Sequence, residues 1–226
     1  MGRRWTRRSI RRVFRPYASP VSVWTFGAMV EECRRMVDHA TEVHGPDAEV
    51  TLTRRSLLTK ALIGARRYDE AEEELVALVA DRTRVLGPAA PGTLIARGNL
   101  ARAIGLGGRP REAIARAEVL LTDRIRLHGP DDPTVFDTRG NLAHFHDLAG
   151  DVEVAIAGYA ALLADRRRVL GRRHPATVLT RKNLRFVRRR AARHSRERAD
   201  QPPSAATGSA APVADASPGP RVIVLV

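Results

Sequence analysis

Apolar positions in the middle of the chain recur at spacings of three and four. Between 92 and 106, Leu94, Leu100, Ala101 and Ile104 fall on one face with Arg97 at its edge, the period of an amphipathic helix. The run breaks at Gly105-Leu-Gly-Gly-Arg-Pro110, where glycines can take the left-handed C-cap conformation and the proline can open a new helix. A second helix is predicted over 110–127, with the stripe Ala113, Ala117, Leu120, Leu121 and Leu127, and Gly129-Pro130 stops it.

The same pattern returns along the chain every 42 residues. Glycine stands at 45, 87, 129 and 171, followed by proline at 46, 88 and 130. Asparagine stands at 99, 141 and 183, with Leu57 in the first copy, and leucine follows at 58, 100, 142 and 184. Arginine recurs at 55, 97, 139 and 181, alanine at 71, 113 and 155, and an Asp-Arg pair at 81–82, 123–124 and 165–166. So many independent ladders on one period mark a repeat architecture, in which each helix pair buries its apolar stripe only against its neighbours. Full copies cover about 50–86, 92–128 and 134–170. Residues 27–44 match the second helix alone, with Met29, Cys33, Met36 and Val37 at its apolar slots, and 176–193 match the first helix alone.

The predicted fold is all-α, a right-handed superhelical solenoid of antiparallel helix pairs with about three full repeats and a half repeat at each end. Three segments are expected: a basic, flexible stretch at 1–26, the repeat domain at 27–193, and a Pro/Ala/Ser-rich disordered tail at 194–226 that ends in the apolar residues 221–226.

The unit resembles a tetratricopeptide repeat in the long form of kinesin light chains and many bacterial repeat proteins. The phrases that carry the resemblance are Arg82-Thr-Arg-Val-Leu-Gly-Pro88, Arg97-Gly-Asn-Leu-Ala101, Arg124-Ile-Arg-Leu-His-Gly-Pro-Asp-Asp-Pro133 and Arg166-Arg-Arg-Val-Leu-Gly-Arg-Arg-His-Pro175. The resemblance implies a concave groove, lined by first helices, that binds a partner peptide. It also implies that Asn99, Asn141 and Asn183 face the groove, where an amide can donate and accept at once and so read a peptide backbone. The competing reading gives these asparagines to packing between helices. One turn further along stand Lys60, Arg102, His144 and Phe186, on the asparagines' side of the helix. They differ between copies, as partner-reading residues would, and Lys60, Arg102 and His144 favour an acidic or carboxylate-bearing ligand. The arginines 55, 97, 139 and 181 and the aspartates 81, 123 and 165 are expected to pair, tying one hairpin to the next.

Composition refines this picture. Of 226 residues 43% are apolar and only 4% aromatic, so the core is aliphatic. The net charge is +14, and only two of 39 basic residues are lysines. Arginines at 3, 4, 7, 8, 11, 12 and 15, and again between 185 and 198, supply the alternative reading: a polyanion-associated protein acting on nucleic acid or an anionic membrane through its flanks. A basic start before the apolar stretch 21–30 is also how a secretion signal begins, but Glu31-Glu32 follows without a small-x-small cleavage site. A lone cysteine, Cys33, forms no disulfide within the chain, which fits a reducing cytoplasm. No phosphate loop, metal-ligand spacing or catalytic constellation stands out. His144 and His146 are two apart and point in different directions on a helix. A non-catalytic, cofactor-free adaptor is the expected function, and incomplete end units leave apolar faces through which copies can self-associate.

Overall fold

The computed structural model describes residues 21–199, and side chains within 26–195. The basic residues 1–20 and the tail beyond 199, with the expectations attached to them, lie outside the described residues. Among the described residues there are eight α-helices and no strand: α1 (Val21–His44), α2 (Glu49–Gly64), α3 (Tyr68–Leu86), α4 (Pro91–Leu106), α5 (Pro110–His128), α6 (Pro133–Leu148), α7 (Val152–Val169) and α8 (Pro175–Ala199). The chain divides into two compact units at Glu74, within α3.

In the first unit α1 packs on α2. The turn between them closes on Thr51, whose buried hydroxyl donates to the carbonyls of Gly45 at 2.8 Å and Ala40 at 3.1 Å. Val30, Cys33, Leu52, Leu58 and Leu62 form the core, whereas Met29 is exposed. The sequence placed Met29 in the apolar stripe of the partial copy; the helix turns Val30 inward in its place. Arg55 reaches Glu74 at 2.6 Å and Arg34 reaches Glu70 at 2.7 Å.

In the second unit each helix from α4 to α8 packs on the next. Small residues allow the approach. Gly105 is buried inside α4, and a Cβ added there would stand 2.8 Å from the Phe145 ring on α6 and 3.0 Å from the Ala113 methyl on α5. Gly105 thus works as a contact surface rather than as part of the chain break. The break comes two residues later, where Gly107 is not left-handed and Gly108 has φ +99°. The predicted stripe of α5 is buried at Ala113, Ala117 and Leu120, but Leu127 is exposed. Leu127 sits in the last turn of the helix.

Two glycine ladders end the helices. Gly45, Gly87, Gly129 and Gly171 close the second helices with φ between +84° and +90°. The first helices close on Gly108 and Gly150, and in the earlier copy the same slot holds Arg66 at φ +62°. A side chain in left-handed backbone costs about 1 kcal/mol, and a glycine there returns part of that in unfolded-state entropy. Arg66→Gly is therefore expected to raise the unfolding free energy by about 0.5 kcal/mol, read as a higher urea midpoint. A lower midpoint would show that the exposed Arg66 side chain makes a contact worth more than the backbone strain.

Helix starts follow a third ladder. Thr93 donates to the Gly87 carbonyl at 2.9 Å, and Thr177 to the Arg166 carbonyl at 3.2 Å. Valine replaces threonine at 135, and there Asp132 caps the helix instead, accepting from the Thr134 amide at 2.8 Å.

Candidate functional site

The first helices of the second unit, α4, α6 and α8, carry five of the six predicted site residues. Adjacent first helices meet directly. α4 touches α6 through Gly105 and Phe145, and α6 is tied to α8 by an ion pair between buried Asp147 and Arg190, whose guanidinium also reaches the Asp147 carbonyl at 3.4 Å. A row of successive first helices therefore exists as a physical surface.

The asparagine ladder divides along this row. Asn99 is 6% exposed, almost enclosed by its neighbours. Asn141 is partly buried and its Oδ1 has no hydrogen-bond partner. Asn183, also partly buried, lies within reach of the Tyr159 hydroxyl on α7.

One turn on, Arg102 is partly buried and His144 is only 6% exposed. Burial, with the charges of Arg102 and Arg190 added, pushes the His144 imidazole down to about 4. The ring is neutral at neutral pH, so the positive character of this face comes from the two guanidiniums that flank it. Burial drives the Asp147 carboxyl upward and Arg190 opposes the shift. Burial likewise raises the Tyr159 phenol, and the Asp147 charge adds to it. The Arg102 guanidinium can bind a peptide's carbonyls or a carboxylate, whereas Arg190 is held by Asp147, and the Asn141 amide oxygen and the His144 Nδ1 are enclosed without a partner. Lys60, the sixth predicted residue, belongs to the first unit and is exposed on α2.

The repeated ion pairs form, but not where the sequence reading put them. Arg97 meets Asp123 and Arg139 meets Asp165, each at 2.8 Å. Both pairs join the two helices of a single hairpin, α4 to α5 and α6 to α7. All four side chains remain about a quarter exposed, so each pair contributes roughly 0–1 kcal/mol. Arg181 donates to the Arg172 carbonyl at 3.0 Å.

The tie between hairpins is the next residue, the arginine of each Asp-Arg pair. Arg82, Arg124 and Arg166 are all nearly fully buried. Arg82 donates to the Gly92 carbonyl at 2.5 Å. Arg124 reaches forward from α5 to the Thr134 carbonyl at 2.9 Å and the Thr138 hydroxyl at 2.7 Å, and back to the Leu94 carbonyl at 3.2 Å. Arg166 repeats this from α7, to the Thr180 hydroxyl at 2.9 Å and to Asp137 at 2.6 Å. The sequence showed this ladder, but a buried, capping arginine and a surface arginine look alike until the face is known.

Among the described residues no three His, Cys, Asp or Glu side chains come together in a way that could hold a metal ion. Cys33 is buried, and burial pushes its thiol up. No described helix is long and apolar enough to cross a membrane.

Residues 135–176, which span α6, α7 and the loop after them, match the family model described as tetratricopeptide repeat. No curated protein matches the chain. Among solved structures it is similar to a candidate kinesin light chain of Podosopora anserina built from nearly identical TPR-like repeats, at 20% identity over 77% of this chain and 82% of that one, with a TM-score of 0.60. A point variant of that protein gives the same identity and coverage with a TM-score of 0.61. BtubC (BKLC) from P. vanneervenii is similar over 88% of this chain and 99% of its own, at 17% identity and a TM-score of 0.54. Residues 135–176 are thus a tetratricopeptide repeat, and the helices around them have the fold of kinesin-light-chain-like arrays of such repeats.

Proposed function

We propose that the chain is a non-catalytic adaptor that binds a partner peptide across the row of first helices α4, α6 and α8. Tetratricopeptide repeats generally mediate protein–protein interaction, and the observation that carries the reading here is the continuity of that row. Gly105 lets α4 meet α6, and Asp147–Arg190 ties α6 to α8. Asn99, Asn141, Asn183, Arg102 and His144 all stand on these three helices. Asn141, partly buried on the middle helix α6, is the residue we assign to the peptide backbone. Arg102 favours an acidic or carboxylate-bearing segment. Lys60, exposed on α2, is assigned to the same acidic preference within its own unit.

A pull-down from nuclease-treated lysate, comparing the wild type with Asn99→Ala/Asn141→Ala, tests this. The expected result is a set of proteins retained by the wild type and lost by the variant, with helicity by circular dichroism unchanged. Because Asn99 is enclosed, Arg102→Gln provides a second variant that removes charge without emptying a packed site. Identical protein sets from the wild type and both variants would overturn the proposal.

A further inference from the structure

The last helix differs from the other first helices at the slots that receive a second helix. In α4 these slots hold Gly98, Ala101 and Gly105, and in α6 they hold Gly140, Ala143 and Asp147. A Cβ added at Gly98 would stand 3.4 Å from Leu120 on α5, and one at Gly140 would stand 3.5 Å from Leu162 on α7. Ala101, Gly105, Ala143 and Asp147 are buried. In α8 the same three slots hold Lys182, Arg185 and Arg189, all exposed. Long cations at these positions exclude a packed helix, and they turn a helix-packing face into a basic one.

The face is continuous. Lys182, Arg185, Arg189 and Arg193 follow one another at three- and four-residue steps, a row of roughly 16 Å along the helix, on the side away from buried Leu184 and Val187. Arg188 is exposed on its flank. No acidic side chain is present from 175 to 195.

We propose that this face of α8 binds the phosphate backbone of a nucleic-acid strand. Three features select that partner. The cations are spaced so that successive side chains can each take one phosphate along an extended strand. Three of the four are arginines, whose planar fork suits phosphate oxygens. The one large apolar side chain on this side, Phe186, is partly buried and packs against the core, whereas a protein interface needs an exposed apolar or aromatic anchor at its centre. With the Phe186 ring engaged by the core rather than presented to a base, binding follows the backbone and is indifferent to sequence. The row adjoins Asn183 on α8 but uses none of the residues assigned to a peptide, so variants in one set test one proposal without removing the other's residues.

The test uses the full chain and a fluorescently labelled single strand of mixed sequence, about twenty nucleotides long, read by anisotropy across a salt series. Lys182→Gln/Arg185→Gln/Arg189→Gln is expected to weaken binding at least about tenfold and to flatten the slope of log K against log salt by about 2, the loss of three phosphate contacts. A control, Arg167→Gln/Arg172→Gln/Arg173→Gln, removes equal charge from exposed arginines elsewhere in the second unit and should retain most of the affinity. Equal loss in the two variants would reduce the effect to net charge and overturn the proposal. So would no loss in the first variant, which would place any binding on other arginines. Equal affinity for polyglutamate of matched charge would also overturn it, in favour of an acidic protein.

Discussion

Arg124→Ala is expected to lower the free energy of unfolding by about 3–5 kcal/mol, a large effect for a polar residue. Arg124 is 7% exposed and its guanidinium serves three elements at once: it begins on α5, holds Thr134 and Thr138 of α6, and reaches Leu94 of α4. Hydrogen bonds from a charged donor are worth about 1.5–3 kcal/mol each, though not additively. The buried guanidinium also carries a cost. Desolvation pulls its pKa down, and Asp137 and Asp132 offset that only as neighbouring charges. Truncation to alanine nevertheless removes both the bonds and the packed side-chain stem, and it leaves a cavity. Arg124→Lys is the finer probe. It keeps the charge, but one ammonium cannot hold three acceptors in different directions, so a loss of about 2 kcal/mol is expected. Because repeat arrays couple mainly between neighbours, native-state hydrogen exchange should show protection falling first in α4, α5 and α6. A loss below about 1 kcal/mol for alanine, or uniform loss of protection, would mean that the arginine is tolerated rather than needed.

The arginine case also shows what one chain of letters discloses about this fold. Helix number, order and most boundaries followed from periods of 3.6 and 42, because every copy must bury the same stripe and end at the same left-handed residue. Gly87, Gly129 and Gly171 were legible for that reason. The ladders gave positions but not depth. Arg97 and Arg124 recur equally well, yet one forms a partly exposed pair inside a hairpin and the other is buried between hairpins. Only the direction in which a side chain leaves its helix separates them. The Asp147–Arg190 pair was illegible for a different reason. Position 147 is glycine one copy earlier and arginine one copy later, so a reading built on recurrence passes over it. Residues that occur in one copy alone are where a repeat protein acquires its own chemistry, and His144, Asp147 and Tyr159 are of this kind.

His144 gives the second large effect, a loss of stability in mild acid. Its imidazole is held down to about 4 by burial and by the charges of Arg102 and Arg190, against about 6.5 in the unfolded chain. Above pH 6.5 both states carry a neutral ring and the full contribution is present. As the pH falls below about 6.5 only the unfolded chain takes up the proton, so unfolding becomes easier, and near pH 4 the folded state accepts it too and the slope ends. The difference of about 2.5 pH units corresponds to about 3 kcal/mol. The control is His144→Phe, since phenylalanine already fills the same slot one copy later as Phe186. The stability of the wild type relative to this variant should fall by that amount between about pH 7 and pH 4, measured by urea unfolding at fixed ionic strength. Carboxylates held low by ion pairs, such as Glu70 and Asp165, lose their contribution in both proteins alike and cancel in the difference. Parallel profiles for the two proteins would mean that the buried ring gains a proton without cost. A profile that bends about one pH unit higher would mean that the Asp147 carboxylate, on the next turn of α6, stabilises the imidazolium against Arg102 and Arg190.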